Sequence, residues 1–330
     1  MSIVMVGIVI VTYNSQEVIG ECLDACLRFA ETRVIVIDNN SQDATLEQVR
    51  KRSGIRLVAN PNNRGFAGAC NQGIAMLNTK FVLLLNPDTV LLSDLQPLTE
   101  AIGEAGVAAA GGRLVNADGT TQTGFHVRGF PTAWTLSLEA LGLNRLWPGN
   151  PVNRAYRPAI ADLEQTDVDQ PAGAFLMIRK AAWEIIGGFD EGFHPVWFED
   201  VDFCKRLRMR GLRIVYVPSA IARHLGGHSA EKLTWTSRQI CWYGSLLRYA
   251  AKHFSVSSSR VVSLAVAFAC IPRAIAGVLL HRTPVPVSVY SRVIRLAATS
   301  FFASRPGALG APQRGATDKA VGSQVFEKRV

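Results

Sequence analysis

Two acidic segments stand about 110 residues apart in this chain of 330 residues. Trp197-Phe198-Glu199-Asp200-Val201-Asp202 puts three carboxylates at the start of an expected helix. Asn86-Pro87-Asp88 follows the apolar run Phe81 to Leu85 and ends it with an acidic turn. One acidic site can hold a cation on a diphosphate. A hard divalent ion takes oxygen ligands, and Mg²⁺ is satisfied by one or two protein carboxylates plus phosphate oxygens and water. The other site can remove the proton of an acceptor hydroxyl, which is a poor nucleophile until a base acts on it. Such catalysis is worth about 10²–10⁴-fold. Sugar transfer from a nucleoside diphosphate needs both. Glu199, Asp200 and Asp202 compete for the base. Carboxylates in a first helical turn also stabilise the helix dipole without doing chemistry, and this is the main role expected for Asp202. Phe193, Trp197 and Phe198 offer a platform for a sugar ring, or simply part of a core.

The elements that must carry these residues can be read from hydrophobic patterning. Apolar strands are expected at Val4 to Val11, Arg33 to Ile37, Ile55 to Ala59 and Phe81 to Leu85, with the apolar stretch Val107 to Leu114 beyond them. Helical patterns separate them, at Gln16 to Phe29, Ala44 to Arg52, Ala67 to Leu77 and Leu95 to Glu104. Continuous Val/Ile/Leu strands alternating with helices indicate a mostly parallel, Rossmann-type α/β sheet covered on both faces. Ligands in such sheets bind beyond the carboxyl ends of the strands. Four strands end there in Thr12-Tyr13-Asn14, Asp38-Asn39-Asn40-Ser41, Asn60 to Gly65 and Asn86-Pro87-Asp88. Asn, Asp, Gly and Pro make turns anywhere, but four such turns opening on one edge form a candidate site. Neither G-x-G-x-x-G nor G-x-x-x-x-G-K-[ST] occurs after the first strand, so dinucleotide and P-loop chemistry lose their main support.

Residues 124–169 lose regularity and read as an insertion covering one edge of the site, on the acceptor side. A strand is expected at Gln170 to Arg179 and a helix at Lys180 to Ile186. A further helix is expected at Val201 to Arg210, then a strand Arg213 to Val217 stopped by Pro218, and a long amphipathic helix Lys232 to His253. The chain thus divides into a catalytic domain at 1–230, a helical basic and apolar segment at 231–303, and a tail at 304–330 whose composition suggests disorder.

The net charge of +9 is concentrated at one end. From Ala251 to Val330 there are eleven Lys/Arg against two Asp/Glu, so the first 250 residues balance at 24 against 24. Basic residues mixed with apolar runs suit an anionic membrane surface. No recognised nucleic-acid motif accompanies the charge, so no nucleic-acid partner is expected. Val261 to Leu280 is long enough to span a bilayer. The central Pro272-Arg273 argues for helices lying on or dipping into the surface instead, because a charge at mid-membrane is costly. The six cysteines show no zinc spacing and read as buried reduced thiols, and no signal peptide is evident.

The motifs Val9-Ile10-Val11-Thr12-Tyr13-Asn14, Val36-Ile37-Asp38-Asn39-Asn40-Ser41, Asn62-Asn63-Arg64-Gly65-Phe66, Asn86-Pro87-Asp88 and Glu199-Asp200-Val201-Asp202 occur in order. Over about residues 5 to 230 the chain resembles the family 2 inverting glycosyltransferases of GT-A fold, and most of all the rhamnosyltransferase branch that builds bacterial surface polysaccharides. The resemblance implies that Thr12, Asn14, Asp38, Asn39, Arg64, Gly65 and Asn86 bind the nucleotide-sugar. Asp88 would be the main ligand of a divalent metal, Mg²⁺ or Mn²⁺, in a motif whose first acid is here Asn86. His224 would be the second ligand, with His228 as an alternative. Asp200 matches the base, with Glu199 beside it, and Trp197 and Phe198 would face the acceptor. The implied reaction is a single displacement from dTDP-L-rhamnose to a lipid-linked or nascent oligosaccharide acceptor, by a cytoplasmic enzyme at the inner face of the plasma membrane. Another donor (UDP-galactose, UDP-N-acetylglucosamine or a GDP-sugar) remains open. A sugar nucleotidyltransferase would be expected to carry a Gly-rich basic loop after the first strand, which Val11 to Ser15 does not supply. A non-catalytic binding protein would not need Asp88 and Asp200.

Overall fold

The computed structural model describes residues 5–29, 31–158, 164–227 and 231–303. Strands β1 (Val6–Thr12), β2 (Thr32–Asp38), β3 (Ile55–Ala59) and β4 (Phe81–Leu85) alternate with helices α1 (Ile19–Cys26), α2 (Thr45–Arg50) and α3 (Gly65–Ala75). Strand β5 (Thr89–Leu91), helix α4 (Gln96–Gly103) and strand β6 (Val107–Val115) follow. Two short strands, β7 (Val127–Arg128) and β8 (Thr166–Asp167), precede β9 (Gln170–Pro171), β10 (Phe175–Arg179) and the long β11 (Arg213–His224). Among the described residues the main sheet has nine strands in the order β3-β2-β1-β4-β10-β6-β11-β5, with β8 also on β11, while β7 and β9 pair separately. Strands β1 to β4, β6 and β11 point one way, and β5, β8 and β10 run against them. Chain order reverses direction at β1, which pairs with β2 on one side and β4 on the other. A crevice therefore opens beyond Thr12, Asp38 and Leu85.

The β-branched run of β1 is apolar on both faces. Ile8 and Ile10 enter one core with Leu83 and Leu85, and Val9 and Val11 enter the other with Val82 and Leu84. That two-sided burial is why helices cover both faces. All six cysteines are free thiols, five of them buried.

Three expectations change. The strand expected to stop at Pro218 runs on to His224, with Val217 paired to Gly112 and Ile221 to Arg113. The extra residues on β11 bulge out there, so Pro218, which has no N–H to donate, interrupts no ladder. The single strand expected over Gln170 to Arg179 is broken into β9 and β10 by a turn at Ala172-Gly173-Ala174. The described residues of the insertion are not irregular. They fold into α5 (Ala133–Leu141), α6 (Leu143–Leu146) and α7 (Pro151–Tyr156), with Thr132 and Asn150 accepting the N-cap hydrogen bonds of α5 and α7.

Helix α8 (Lys180–Ile186) and helix α9 (Glu199–Met209) lie between β10 and β11 in sequence, on either side of the segment 187–198. Three helices then follow: α10 (Trp235–His253), α11 (Val256–His281) and α12 (Val285–Phe302). They share a core with Leu136 and Ala140 of α5, Phe193, and Val201 of α9. α11 passes through Pro272 without ending, and Arg273 folds its guanidinium back onto the Ala269 carbonyl at 3.0 Å.

Candidate active site

At the carboxyl end of β1 and β2, Asp38 is fully buried. Its Oδ1 accepts from the Thr12 hydroxyl at 2.8 Å and from the Ser41 hydroxyl at 2.5 Å, while its Oδ2 accepts from the Ser41 N–H at 2.9 Å. A carboxylate offers about four acceptor positions, so these three bonds leave Asp38 one. Thr12 has no exposed surface, and its hydroxyl braces Asp38. Asn14 stands at φ 50°; its N–H donates to the Ser41 hydroxyl and its side-chain oxygen accepts from the Gln42 N–H, both at 2.8 Å. Asn39 is buried. It donates to the Gly65 carbonyl at 3.1 Å and accepts from the Asn60 amide at 3.2 Å and the Arg64 N–H at 3.4 Å. Arg64 is exposed at the N-terminus of α3. Gly65 has φ 74°, and a Cβ there would meet His194 Cδ2 at 2.8 Å and the Pro195 carbonyl oxygen at 3.1 Å, so only glycine closes this turn.

Asn86 donates its N–H to the Ala174 carbonyl at 3.1 Å, and Asp88 is buried behind it. The antiparallel pairing of β5 with β11 sets His224 opposite Thr89, and the Leu225 N–H reaches the Asp88 carbonyl at 3.1 Å. His224 Nε2 consequently lies 3.6 Å from Asp88 Oδ1. Burial pushes the imidazole below its ordinary value, against the pull of the Asp88 charge. The ring stacks on Phe125 with centroids 5.1 Å apart, and its Nδ1 is 3.0 Å from Gln122 Oε1. A cavity of about 500 Å³ opens here, lined by Gln122, Phe125, His224 and Gly226 among others. His228 lies outside the described residues.

Glu199, Asp200 and Asp202 occupy the first turn of α9, reached through Trp197 at φ 84° and Phe198 at φ 70°. Two consecutive bulky residues in the left-handed region are strained, and such strain clusters at functional sites. The Phe198 ring tilts against Tyr249 of α10, 5.5 Å between centroids. Asp200 is half-buried; its Oδ2 accepts from the Gly173 N–H at 3.1 Å and its Oδ1 from the Val201 N–H at 2.8 Å. Glu199 is buried, and its Oε2 has no hydrogen-bond partner. Burial, reinforced by the charge of Asp200, raises its carboxyl well above the usual range. Asp202 is fully buried and differs in role. Burial opposes its charge, but His253 at 2.7 Å, Arg206 at 2.8 Å and Lys252 at 2.7 Å hold it below the ordinary carboxylate range. It ties α9 to α10.

Residues 7–185 match the profile of glycosyl transferase family 2, and residues 163–227 match the profile described as the N-terminal domain of galactosyltransferase. The chain belongs to glycosyl transferase family 2. It is 31% identical over 242 residues to an N-acetylglucosaminyl-diphospho-decaprenol L-rhamnosyltransferase of Mycobacterium tuberculosis, covering 68% of this chain and 77% of the relative. It is 26% identical over 259 residues to rhamnosyltransferase WbbL of Escherichia coli, covering 75% of this chain and 93% of that one. Among solved structures, mannosyltransferase PcManGT of Pyrobaculum calidifontis, in complex with GDP-Man and Mn²⁺, superposes with a TM-score of 0.51 at 16% identity, over 91% of this chain and 88% of that one. The fold is the GT-A type expected, and the chain is a rhamnosyltransferase-like glycosyltransferase.

Two residues of this family 2 glycosyltransferase that connect its acidic segments carry no sequence signal of their own. Gly173 donates to Asp200 while its neighbour Ala174 accepts from Asn86. Adjacent Cα atoms are about 3.8 Å apart, so this one turn joins the segment of Asp88 to that of Asp200. Arg128 lies over the Phe125 ring at 5.7 Å. Burial disfavours its charge, but Tyr156 and Asp200 outweigh that and raise its value. Among the described residues, no group of three or more His, Cys, Asp or Glu side chains is placed to hold a metal. Asp88 and His224 are a pair.

Proposed function

We propose that this glycosyltransferase transfers L-rhamnose from dTDP-L-rhamnose to a lipid-linked, diphosphate-bearing sugar, with inversion at the anomeric carbon. The observation that carries this reading is the Gly173-Ala174 turn, bonded to Asp200 on one side and to the Asn86-Pro87-Asp88 segment on the other. The transferred sugar and the acceptor are taken from the M. tuberculosis relative, whose name specifies L-rhamnose and a diphospho-decaprenol sugar, and the dTDP carrier from the family resemblance.

A divalent ion suits the donor set at the first site. Asp88 offers a carboxylate oxygen and His224 an imidazole nitrogen held 3.6 Å away, and carboxylate with imidazole suits Mn²⁺ as well as a hydrated Mg²⁺. The ion would neutralise charge developing on the leaving diphosphate. Asp38, with its one remaining acceptor position, receives a base N–H. Thr12 fixes the orientation of that carboxylate, and Asn39 and Gly65 shape the turn that passes under the nucleotide. Arg64, exposed at the N-terminus of α3, would meet the diphosphate, and Asn86 binds the Ala174 carbonyl through its N–H beneath the sugar. Asp200 takes the acceptor proton. Gly173 and Val201 each donate one hydrogen bond to it, which fixes the carboxylate and leaves lone pairs for the incoming hydroxyl. Glu199, buried beside it with its carboxyl raised by burial and by the Asp200 charge, is the secondary candidate. Trp197 and Phe198 border the acceptor.

The catalytic body at 1–230, including the 124–169 insertion, works at the inner face of the plasma membrane, where 231–303 touches anionic lipid. Helix α11 has a mean hydropathy of 2.0 over its most apolar window, and a third of that window is buried.

The test uses the full chain with dTDP-L-rhamnose and a polyprenyl-diphosphate N-acetylglucosamine acceptor. Asp200→Asn is expected to lower turnover by about 10²–10⁴-fold while nucleotide binding persists, and Glu199→Gln to lower it much less. A chelator is expected to abolish transfer, and Mn²⁺ to restore it. Full turnover by Asp200→Asn removes its assignment as base, and chelator-resistant transfer removes the metal. Preference for UDP-galactose, the donor suggested by the match at residues 163–227, would replace the rhamnose assignment.

A further inference from the structure

We propose that Gln122 is a positioning residue that locks the imidazole of His224 in one tautomer, with the proton on Nδ1 and the lone pair of Nε2 turned to Asp88. Asn116, Thr120 and Asp118 hold Gln122 in the orientation that does this. The inference rests on His224 as a metal ligand and goes beyond it, because it assigns the cause of the ring's ligand-ready state.

The argument follows donors and acceptors. Gln122 Nε2 is 2.7 Å from the His224 carbonyl oxygen and 3.0 Å from Asn116 Oδ1. The carbonyl can only accept, so the NH₂ group of Gln122 must face it. Both amide hydrogens are then used, and the atom left facing His224 Nδ1, at 3.0 Å, is the oxygen Oε1. An amide oxygen can only accept, so Nδ1 carries the hydrogen. In the neutral ring Nε2 is then the bare nitrogen, and Nε2 is the atom 3.6 Å from Asp88 Oδ1. The opposite tautomer needs the Gln122 amide turned over, which would press its oxygen against two other oxygens.

The same logic fixes the direction of every outer link. The Thr120 hydroxyl donates to Asp118 Oδ1 at 2.6 Å, so its oxygen is left to accept. It accepts from Asn116 Nδ2 at 2.9 Å, which leaves Asn116 Oδ1 for Gln122. The run of hydrogen bonds is therefore directed outward from the ring and ends on a carboxylate, which only accepts. The backbone supports it. Gln122 N–H donates to the Leu114 carbonyl at 2.9 Å, and Asn116 N–H to the Thr120 carbonyl at 2.8 Å, so one tight loop carries all four residues. Phe125, stacked on the other side of the ring at an interplanar angle of 14°, limits rotation out of this plane. Partners of this kind set the tautomer of a ligating histidine, and their loss typically lowers metal affinity about 10–100-fold.

The test reads the tautomer and the metal separately. In metal-free protein labelled with ¹⁵N-histidine, the His224 signals, identified by their loss in His224→Ala, are expected to show the hydrogen on Nδ1. A hydrogen on Nε2 in the wild type overturns the proposal without any variant having to fold. Gln122→Leu is expected to lose that pattern and to weaken Mn²⁺ binding, titrated in the presence of dTDP, by about 10–100-fold. Asn116→Ala, an exposed link next to Gln122 in the run, is expected to give mixed tautomers in a protein that keeps its ring environment. Wild-type tautomer and affinity in both variants overturn the inference. Unchanged Mn²⁺ affinity in His224→Ala would instead strike the ligand assignment itself, and the ¹⁵N pattern would show that failure to be a different one.

Discussion

Glu199 and Asp200 are neighbours in sequence with opposite surroundings, and this separates their roles. Glu199 is buried with an unpartnered oxygen, whereas Asp200 accepts two backbone hydrogen bonds at half burial. Burial and the Asp200 charge raise the Glu199 carboxyl. An acid raised in the folded state supports the fold fully below its unfolded value, about 4.3 for Glu. That support is lost as pH rises from there toward the folded value. Gln carries no charge at any pH. Glu199→Gln is therefore expected to match the wild type near pH 4 and to become the more stable protein as pH rises to 8, read from urea midpoints at each pH. A gap that narrows with rising pH contradicts a carboxyl raised by burial. The sequence marks both acids, because charged residues beside aromatic ones at a helix start stand out by type. It does not mark Gln122 or Gly173, whose importance lies in hydrogen bonds to residues 102 and 27 positions away. Nothing in the residue type announces such a partner.

Among the elements, the turn between β9 and β10 bears most directly on Asp200. A Cβ on Gly173 would lie 3.1 Å from Asp200 Cβ and 3.3 Å from its Oδ2, closer than ordinary contact. Gly173→Ala is therefore expected to displace the carboxylate by a few tenths of an ångström. The expected result is a roughly tenfold loss of kcat with donor KM little changed, since small misplacements of a reacting group are costly. A kcat equal to wild type would show that Asp200 does not depend on this turn. Strands β1 to β4 are legible because they are largely apolar on both faces and five to seven residues long. Two strands on the other side of the sheet are harder to read. β5 is three residues long and follows an acidic turn, and β11 conceals its second half behind Pro218. Both depend on pairing with distant strands, and local patterning does not record that.

At the scale of the molecule, charge and shape point the same way. From Phe254 to Ala303 there are five arginines and no acidic residue. On α11, Val261, Leu264, Phe268, Ile271, Ile275 and Leu279 recur every three or four positions and are exposed, Phe268 at 65% and Leu279 at 73%. That is one helical face left open. A basic, apolar face of this kind binds anionic bilayers. The full chain is expected to sediment with phosphatidylglycerol vesicles and not with phosphatidylcholine ones, more weakly as salt rises, and Phe268→Asp with Leu279→Asp to release it. Equal binding to both vesicle types would remove the anionic-surface assignment. The charge bias and the long apolar window are visible in the sequence. The seating of α5 against α11 is not, because an apolar stripe does not say which partner covers it.

The detour at Pro218 has one further effect. Side chains of a strand alternate between its two faces, so the length of chain spent between Val217 and Ile221 fixes the face on which every later residue emerges. Losing a single residue from that stretch would turn the ring of His224 away from Asp88 while leaving both amino acids in place. The spacer works by its count of residues, and a chain altered only there would keep its motifs and lose the pairing proposed to hold a cation.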